Sequence, residues 1–560
     1  MGLPVRITRS ARWARVAPRS PGRLGPVRPR TPLVGLVFLA ALAAPVTAGC
    51  SHDGGAAPSG RSGGRDDARS TQAAAPSSAT QVTPVTGSPR TVPAVRSFTA
   101  RGGPGWRPSS TIRVVTDPEG PLADEARLLA GELKVTIAPG PARAGDVELA
   151  LRPGQRGGPE SYELTTRDGR VLITAPDEAG AFYGTRTLVQ SVRSGGGLPE
   201  GVVADAPDRP QRGLQLDTAR KHFTAEWIEA RLREMADLKL NQLGLHFSDD
   251  QGFRIESASH PEIVSPEHLT KAEVRRIVAL ATSLHIAVIP EIDSPGHLGA
   301  VLKAHPDLQL RDATGTPSRG AVDISLPGAA KIVDDLLREF TPLFPGPYWH
   351  LGADEYRALM SRDPQGSYPH LADLARQRYG SQGRVQDLAT AWLNDRAAVV
   401  RSLGKKAKAW NDGFFRGGLV APDQAIEVEY WTGRELGARD PQEYLNEGRT
   451  VVNLNDQYLY YVLGEPNEFR YPTGELIYKE WSPAVLRGTR PVAAGTADPR
   501  RVPGGRFAVW CDHADAQTPD QVANGIRLPL AAVSQRLWDP RPPKLPWQDF
   551  GTLYTTVRGG

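Results

Sequence analysis

Cysteine is almost absent from this chain, with only Cys50 and Cys511 among 560 residues. That excludes a disulfide-built scaffold and a thiolate metal cluster, so stability has to come from buried apolar surface. A chain of this length exceeds one ordinary domain and has room for two sizeable cores. Long apolar runs are missing too: the stretch from Leu33 to Ala44 is short for a membrane-spanning helix. Residues 1–49 contain no acid and no lysine but eight arginines, and setting those aside turns the formal charge of +5 into −3 for the remainder. The body of the chain therefore lacks the basic excess that a nucleic-acid partner requires. No Gly-rich phosphate turn follows the first strand of the alternating region, which argues against a doubly wound nucleotide-binding sheet. No helical His-x-x-x-His pair is present, which argues against a zinc hydrolase, and neither metal nor cofactor is expected.

What is present begins with a leader. An arginine-rich start, the apolar stretch 33–44 and the small residues Val46-Thr47-Ala48-Gly49 follow the order of a secretory signal. Cys50 directly after Ala-Gly resembles a bacterial lipobox, in which the cysteine becomes the lipidated first residue of the mature chain. An ordinary exported protein with an incidental cysteine is the alternative. The expectation is a signal peptide over 1–49, lipidation at Cys50, and a location at the outer face of the membrane, held there by the lipid alone, or secretion. Residues 50–105 are rich in Gly, Ser, Ala, Thr and Pro and predict a flexible tether. Cys511, beside the apolar run Phe507 to Trp510, reads as a buried small hydrophobe.

From residue 106 the pattern becomes regular. Short strands at 111–115, 147–151 and 171–174, with helices at 123–133 and 179–192, predict a small α+β domain over 106–205. Over 206–560, strand-like runs recur at 213–217, 241–247, 286–292, 347–352, 406–410, 425–431, 450–455 and 506–511. Helical periodicity lies at 224–238, 270–285, 328–340, 385–403 and 519–536. Eight strands with helical crossovers predict an α/β fold of the (β/α)8 TIM-barrel type.

The ends of those runs carry chemistry. They hold Asp217; His246, Asp249 and Asp250; Glu291 and Asp293; Asp354 and Glu355; Trp410; Trp431; Asn455 and Tyr458; and Trp510 with Asp512. Barrel enzymes assemble their sites from the C-terminal ends of their strands. Carboxylates interleaved with tryptophans suit a carbohydrate, whose apolar ring faces stack on indoles while its hydroxyls donate to carboxylates. Two carboxyls that attack one glycosidic bond from opposite sides usually come from different strands, whereas Asp354 and Glu355 are neighbours whose side chains diverge. A division of labour fits better. Glu355 protonates the leaving oxygen, and Asp354 orients a nucleophile carried by the substrate, such as a 2-acetamido group. Blander readings hold elsewhere: His246 and His350 as core histidines, Asp250 as a loop cap, Trp349 and Trp538 as packing.

His350-Leu351-Gly352-Ala353-Asp354-Glu355 resembles the H-x-G-[GA]-D-E signature of glycoside hydrolase family 20. The segments Arg212 to Arg220, Leu245 to Arg254 and Ile289 to His297 agree with that family in order, and Gly180 to Leu188 is similar to part of its accessory domain. The resemblance covers roughly 108–555 and implies retaining hydrolysis of terminal β-linked N-acetylhexosamine, assisted by the substrate's own acetamido group. It implies Glu355 as acid/base and Asp354 as the acetamido-positioning residue. It also implies Arg212 on ring hydroxyls, Asp249 and His297 as partners of the acid, and Trp410, Trp431 and Trp510 as the pocket wall. Tyr458 is expected on the acetamido carbonyl and Asp512 on a sugar hydroxyl. Tyr460 stands where the family often has an acid, Asp512 where it often has glutamate, and Phe253 where tryptophan is usual. The first two departures resemble a branch with lacto-N-biosidases, which release a disaccharide. A metal hydrolase using the His246, Asp249, Asp250, Glu291, Asp293 and His297 set, and a non-catalytic sugar-binding lipoprotein, are the readings from other classes.

Overall fold

The computed structural model describes residues 84–435, 437–465 and 469–559. The expected signal peptide, Cys50 and most of the expected tether lie outside them. The first folded layer is a seven-stranded sheet, ordered Phe98–Ala100, Gly201–Asp205, Tyr162–Arg167, Arg170–Ala175, Val147–Leu151, Arg113–Val115 and Thr136–Ala138. Helices Ala123–Leu133 and Glu178–Gly195 pack on it and on each other. The longer helix is started by Asp177, whose side chain accepts from the Gly180 amide, and stopped by Gly196 at φ 71°. The fold begins earlier than the tether expectation allows. Phe98–Ala100 pairs antiparallel with Gly201–Val203, and the fully buried Val92 donates its amide to Gln190 at 2.7 Å. A three-residue strand is too short for alternation to be read, so its existence depends on the partner edge.

The barrel strands are Gln211–Asp217, Gln242–His246, Ala287–Glu291, Tyr348–His350, Lys406–Trp410, Glu427–Tyr430, Val451–Asn453 and Gly504–Trp510. Each pairs in parallel with the next, and the eighth pairs with both the seventh, at Asn453↔Gly505, and the first, which closes the ring. All eight fall within two residues of their expected ranges. So do the helices Ala225–Asp237, Lys271–Ser283, Pro327–Phe340, Val385–Ser402 and Pro519–Trp538. Capping boxes at Thr270/Glu273 and Thr518/Gln521 fix two of those starts.

The barrel interior is ionic where aliphatic layers are more usual. Glu291, fully buried, accepts from Gln215 Nε2 at 2.6 Å and Trp410 Nε1 at 2.8 Å, and faces His246 Nδ1 at 3.2 Å and His350 Nδ1 at 3.3 Å. Below it Glu429 pairs with Arg506 and with Lys408 at 3.2 Å, and Lys408 reaches Glu427 at 2.7 Å. Burial opposes the charge on Glu291, but His350 and His246 outweigh it and hold its carboxyl well below the usual carboxylate range. Such charges persist inside a protein only when each has a partner, so the ladder ties six strands to one another. His246 and His350 are core histidines, as expected, and Trp349 and Trp538 are fully buried packing residues.

Candidate active site

The fourth strand ends in a backbone kink. Gly352, Ala353 and Glu355 have φ of 67°, 78° and 46°, in the left-handed region. A Cβ on Gly352 would sit 1.7 Å from Asp293 Oδ1, so glycine is required there. Two acids clamp the kink: Asp293 Oδ1 accepts the Ala353 amide at 2.9 Å, and Asp412 Oδ2 accepts the Glu355 amide at 2.9 Å. Strain of this kind costs about 1–3 kcal/mol per residue and persists where surrounding contacts over-determine it. Its effect is to hold Asp354 and Glu355 near the same nitrogen of one imidazole. His297 Nε2 lies 3.6 Å from Asp354 Oδ2 and 3.7 Å from Glu355 Oε2, and its Nδ1 faces Asp249 Oδ1 at 3.3 Å.

Asp249 is tied in turn to Arg220 at 2.8 Å and to His246 Nε2 at 2.8 Å, so the mouth connects through His246 to Glu291 and the ionic ladder. The charges sort themselves. Burial pulls the His297 imidazole down, but Asp249 and Asp354 outweigh it and raise its pKa to about 10. Burial would raise the Asp249 carboxyl, yet His297 and Arg220 hold it well below the usual range. Asp293 and Asp412 are both pushed well above the carboxylate range, first by burial and then by the charge of Asp354, which favours their protonated forms. Glu355 is raised as well, by burial and by Asp354, against the opposing charge of His297. Glu355 is thus primed to hold a proton. Asp354 Oδ1 is buried and accepts from no N–H among the described residues, and Asp293 in its protonated form hydrogen-bonds the Asp354 carboxylate.

Aromatic rings wall the same space. Trp410 and Trp510 meet edge to face at 5.8 Å, Tyr460 lies 6.0 Å from Trp510, and Tyr460 stacks on Trp431 at 5.6 Å with an interplanar angle of 8°. Asp412 fixes the Trp431 indole through Nε1 at 3.0 Å, and Glu291 fixes that of Trp410. The structure therefore brings together Asp249, His297, Asp354, Glu355, Trp410, Trp431 and Trp510.

Two expected residues lie elsewhere. Arg212 is near the start of the first strand, so five residues of strand, about 16 Å, separate it from the mouth. It is fully buried against the N-terminal domain, donating to Glu160 at 2.9 and 3.1 Å and to Tyr183 Oη at 3.2 Å. The arginine at the mouth is Arg220, three residues past the end of the strand, donating to Asp217 Oδ2 at 3.0 Å and lying over Trp510 at 5.6 Å. Tyr458 falls in the one-turn helix Asp456–Leu459, which points it into the outer core toward Glu480. Tyr460, at the start of strand Tyr460–Val462, takes the place in the aromatic wall. Asp512 sits exposed past the end of the eighth strand, where its charge acts on Arg220. Asp250 ties a loop, accepting the Gly299 amide at 3.0 Å and Arg319 Nε at 3.1 Å. Asp412 escaped the sequence reading altogether, although an acid two residues beyond a strand-terminal tryptophan was a usable signal.

With this geometry in view, comparison with known proteins is decisive at the family level. The model of the glycosyl hydrolase family 20 catalytic domain matches residues 210–541, and that of family 20 domain 2 matches 88–206. The chain belongs to glycosyl hydrolase family 20. This family 20 chain is 30% identical over 471 residues to a lacto-N-biosidase of Bifidobacterium bifidum, matching 82% of the chain but only 41% of that relative. It is 28% identical to a β-N-acetylhexosaminidase of Cellulomonas fimi over 443 residues, 72% of the chain and 79% of the relative. In fold it is similar to a β-hexosaminidase of Streptomyces plicatus, with a TM-score of 0.67 at 24% identity, covering 85% of this chain and 95% of the other. Domain 2 begins at 88, in agreement with the early start of the folded body.

A cavity of about 430 Å³ opens beside Glu355 in this family 20 chain, lined by Asp412, Phe414, Tyr444 and the Arg384 side chain among others. Carboxylate and imidazole atoms of Asp293, His297 and Asp354 lie within 4.8 Å of one another, close enough for a cation. The His297 imidazolium already supplies positive charge at that point.

Proposed function

We propose that the protein is a retaining exo-β-N-acetylhexosaminidase, removing terminal GlcNAc or GalNAc from glycans or chitooligosaccharides with the 2-acetamido group as internal nucleophile. One observation carries the reading: Asp354 and Glu355, the latter with a raised pKa, meet at one imidazole nitrogen of His297 inside an aromatic wall. An acetamido N–H donates to the Asp354 carboxylate. Its carbonyl oxygen then attacks C1, Asp354 steadies the positive charge that develops on the amide, and Glu355 gives its proton to the leaving oxygen. In the second half Glu355 takes a proton from water, which opens the cyclic intermediate with net retention. Tyr460 supplies a hydroxyl near the acetamido carbonyl, and Arg220 holds ring hydroxyls. The aromatic wall excludes water and packs the sugar face and the acetamido methyl.

The test is turnover of a chromogenic N-acetyl-β-glucosaminide. It should vanish in Glu355→Gln and fall about 10²–10⁴-fold in Asp354→Asn with unchanged circular dichroism. A thiazoline mimic of the cyclised intermediate should inhibit strongly. Azide rescue of Asp354→Gly with inverted product would instead make Asp354 a covalent nucleophile. A second reading, release of a disaccharide, is favoured by the lacto-N-biosidase relative and by the exposed Asp512 at the rim. Measuring release of GlcNAc, GalNAc and lacto-N-biose from defined substrates separates the two. We also propose export with lipidation at Cys50, on the order of charge, apolar stretch and small residues before it. In that case Cys50→Ala moves the protein from the membrane fraction to the soluble one.

A further inference from the structure

Away from the mouth, two imidazoles and a carboxylate converge. His260 Nδ1 and His305 Nε2 lie 3.0 and 2.9 Å from the same oxygen, Glu262 Oε1. The ligand atoms of the three residues are all within 4.8 Å of one another, and the two rings stand nearly perpendicular at 6.2 Å. On the far side of the first ring, His260 Nε2 faces Asp335 Oδ2 at 3.4 Å, and Asp335 is itself paired with Lys331. We propose that His260, Glu262 and His305 bind a divalent transition-metal ion of the zinc type, with Asp335 orienting His260 and water completing the shell.

The donor set carries the inference. Two imidazole nitrogens and one carboxylate oxygen suit zinc, whose bonds to such atoms are about 2.0–2.2 Å and whose tetrahedral ligands therefore stand about 3.3 Å apart. The two N···O separations of 3.0 and 2.9 Å need an expansion of only a few tenths of an ångström. The proton inventory points the same way. His260 has a carboxylate at each ring nitrogen, Glu262 at Nδ1 and Asp335 at Nε2. A cation at Nδ1 and the proton at Nε2 satisfy both, which is the carboxylate–histidine–metal arrangement of supported sites. The side chains are 13%, 41% and 28% exposed for His260, Glu262 and His305, so an ion can enter without unfolding.

The position gives the ion a task. His260 and Glu262 belong to the connection that follows Asp249, and His305 closes the helix Gly299–Ala304, which follows His297. The ion clamps together the two connections whose inner ends form the Asp249–His297 pair. Its role is structural, and it stands apart from the cluster at the mouth.

The experiment uses the full chain without a histidine tag, stripped with chelator and titrated with zinc chloride by calorimetry. Wild type should bind one equivalent that His305→Ala and Glu262→Gln both lose while His297→Ala keeps it. Zinc should raise Tm in wild type and not in His305→Ala. Unchanged uptake in His305→Ala and Glu262→Gln, or no stoichiometric uptake by wild type, overturns the proposal. The readout is independent of glycosidase activity, so it stands or falls separately from the proposed function.

Discussion

Removing the positive charge of His297 should make Glu355 a weaker acid, and the size of the change follows from the geometry. The His297 Nε2–Glu355 Oε2 separation is 3.7 Å. With His297 held near a pKa of about 10, that charge is present throughout the neutral range. Two unit charges at this distance interact by about 1 kcal/mol at the dielectric constant of water and about 4.5 kcal/mol at an effective value of 20. The Glu355 side chain is 38% exposed, so solvent screening favours the lower end, and the pKa of Glu355 rises when His297 is removed. Asp354 acts with the opposite sign. Both carboxylates approach the same nitrogen and so lie at most about 7 Å apart, and removing the Asp354 charge in Asp354→Asn lowers the pKa of Glu355. The assay is kcat/KM against pH for a disaccharide whose leaving alcohol needs a proton, where the basic limb reports the free enzyme's acid. His297→Ala should move that limb up and Asp354→Asn, on its residual activity, should move it down. A dinitrophenyl glycoside, which needs no proton, should lose the limb. A limb that stays put in His297→Ala, or moves down, refutes the assignment of Glu355 as the acid tuned by this pair.

The aromatic wall predicts a contrast between two tyrosines: Tyr460→Phe should lower kcat about 10- to 100-fold through one lost hydrogen bond in the transition state, while Tyr458→Phe should leave it within about twofold. Arg212→Met should cost about 3 kcal/mol in urea titration, because the partly buried Glu160 loses its counter-charge and keeps only the neutral donors Asn241 and Tyr183, with KM unchanged. An increase in KM as large as that of Arg220→Met would return Arg212 to the substrate. Stability should also depend on His297 at alkaline pH. Its folded pKa is raised, so its pairing contributes fully below the unfolded value of about 6.5 and is lost as pH rises through about 10. The gap in stability between wild type and His297→Asn should therefore close above that pH.

Much was legible in the residues alone. The barrel strands are buried runs bounded by turns and the helices are amphipathic segments with caps, so local pattern determined their number, order and limits. The Asp354-Glu355 pair was legible because adjacent acids at a strand end cannot both attack one bond, which already implied unequal roles. What the sequence left undecided was direction and distance. Arg212 and Arg220 lie in one motif eight residues apart, yet a strand of 3.3 Å rise per residue sends them to opposite ends of the barrel. Tyr458 and Tyr460 are separated by one residue, and a single helical turn decides which ring joins the wall. Asp293 and Asp412 acquire their meaning only from the kink they clamp and from the charge of Asp354 beside them. The pairing of His260 and Glu262 with His305 spans a helix and more than forty residues. Local pattern reports what each segment buries, whereas contacts between strand ends depend on closure of the ring, and only the tertiary structure decides those.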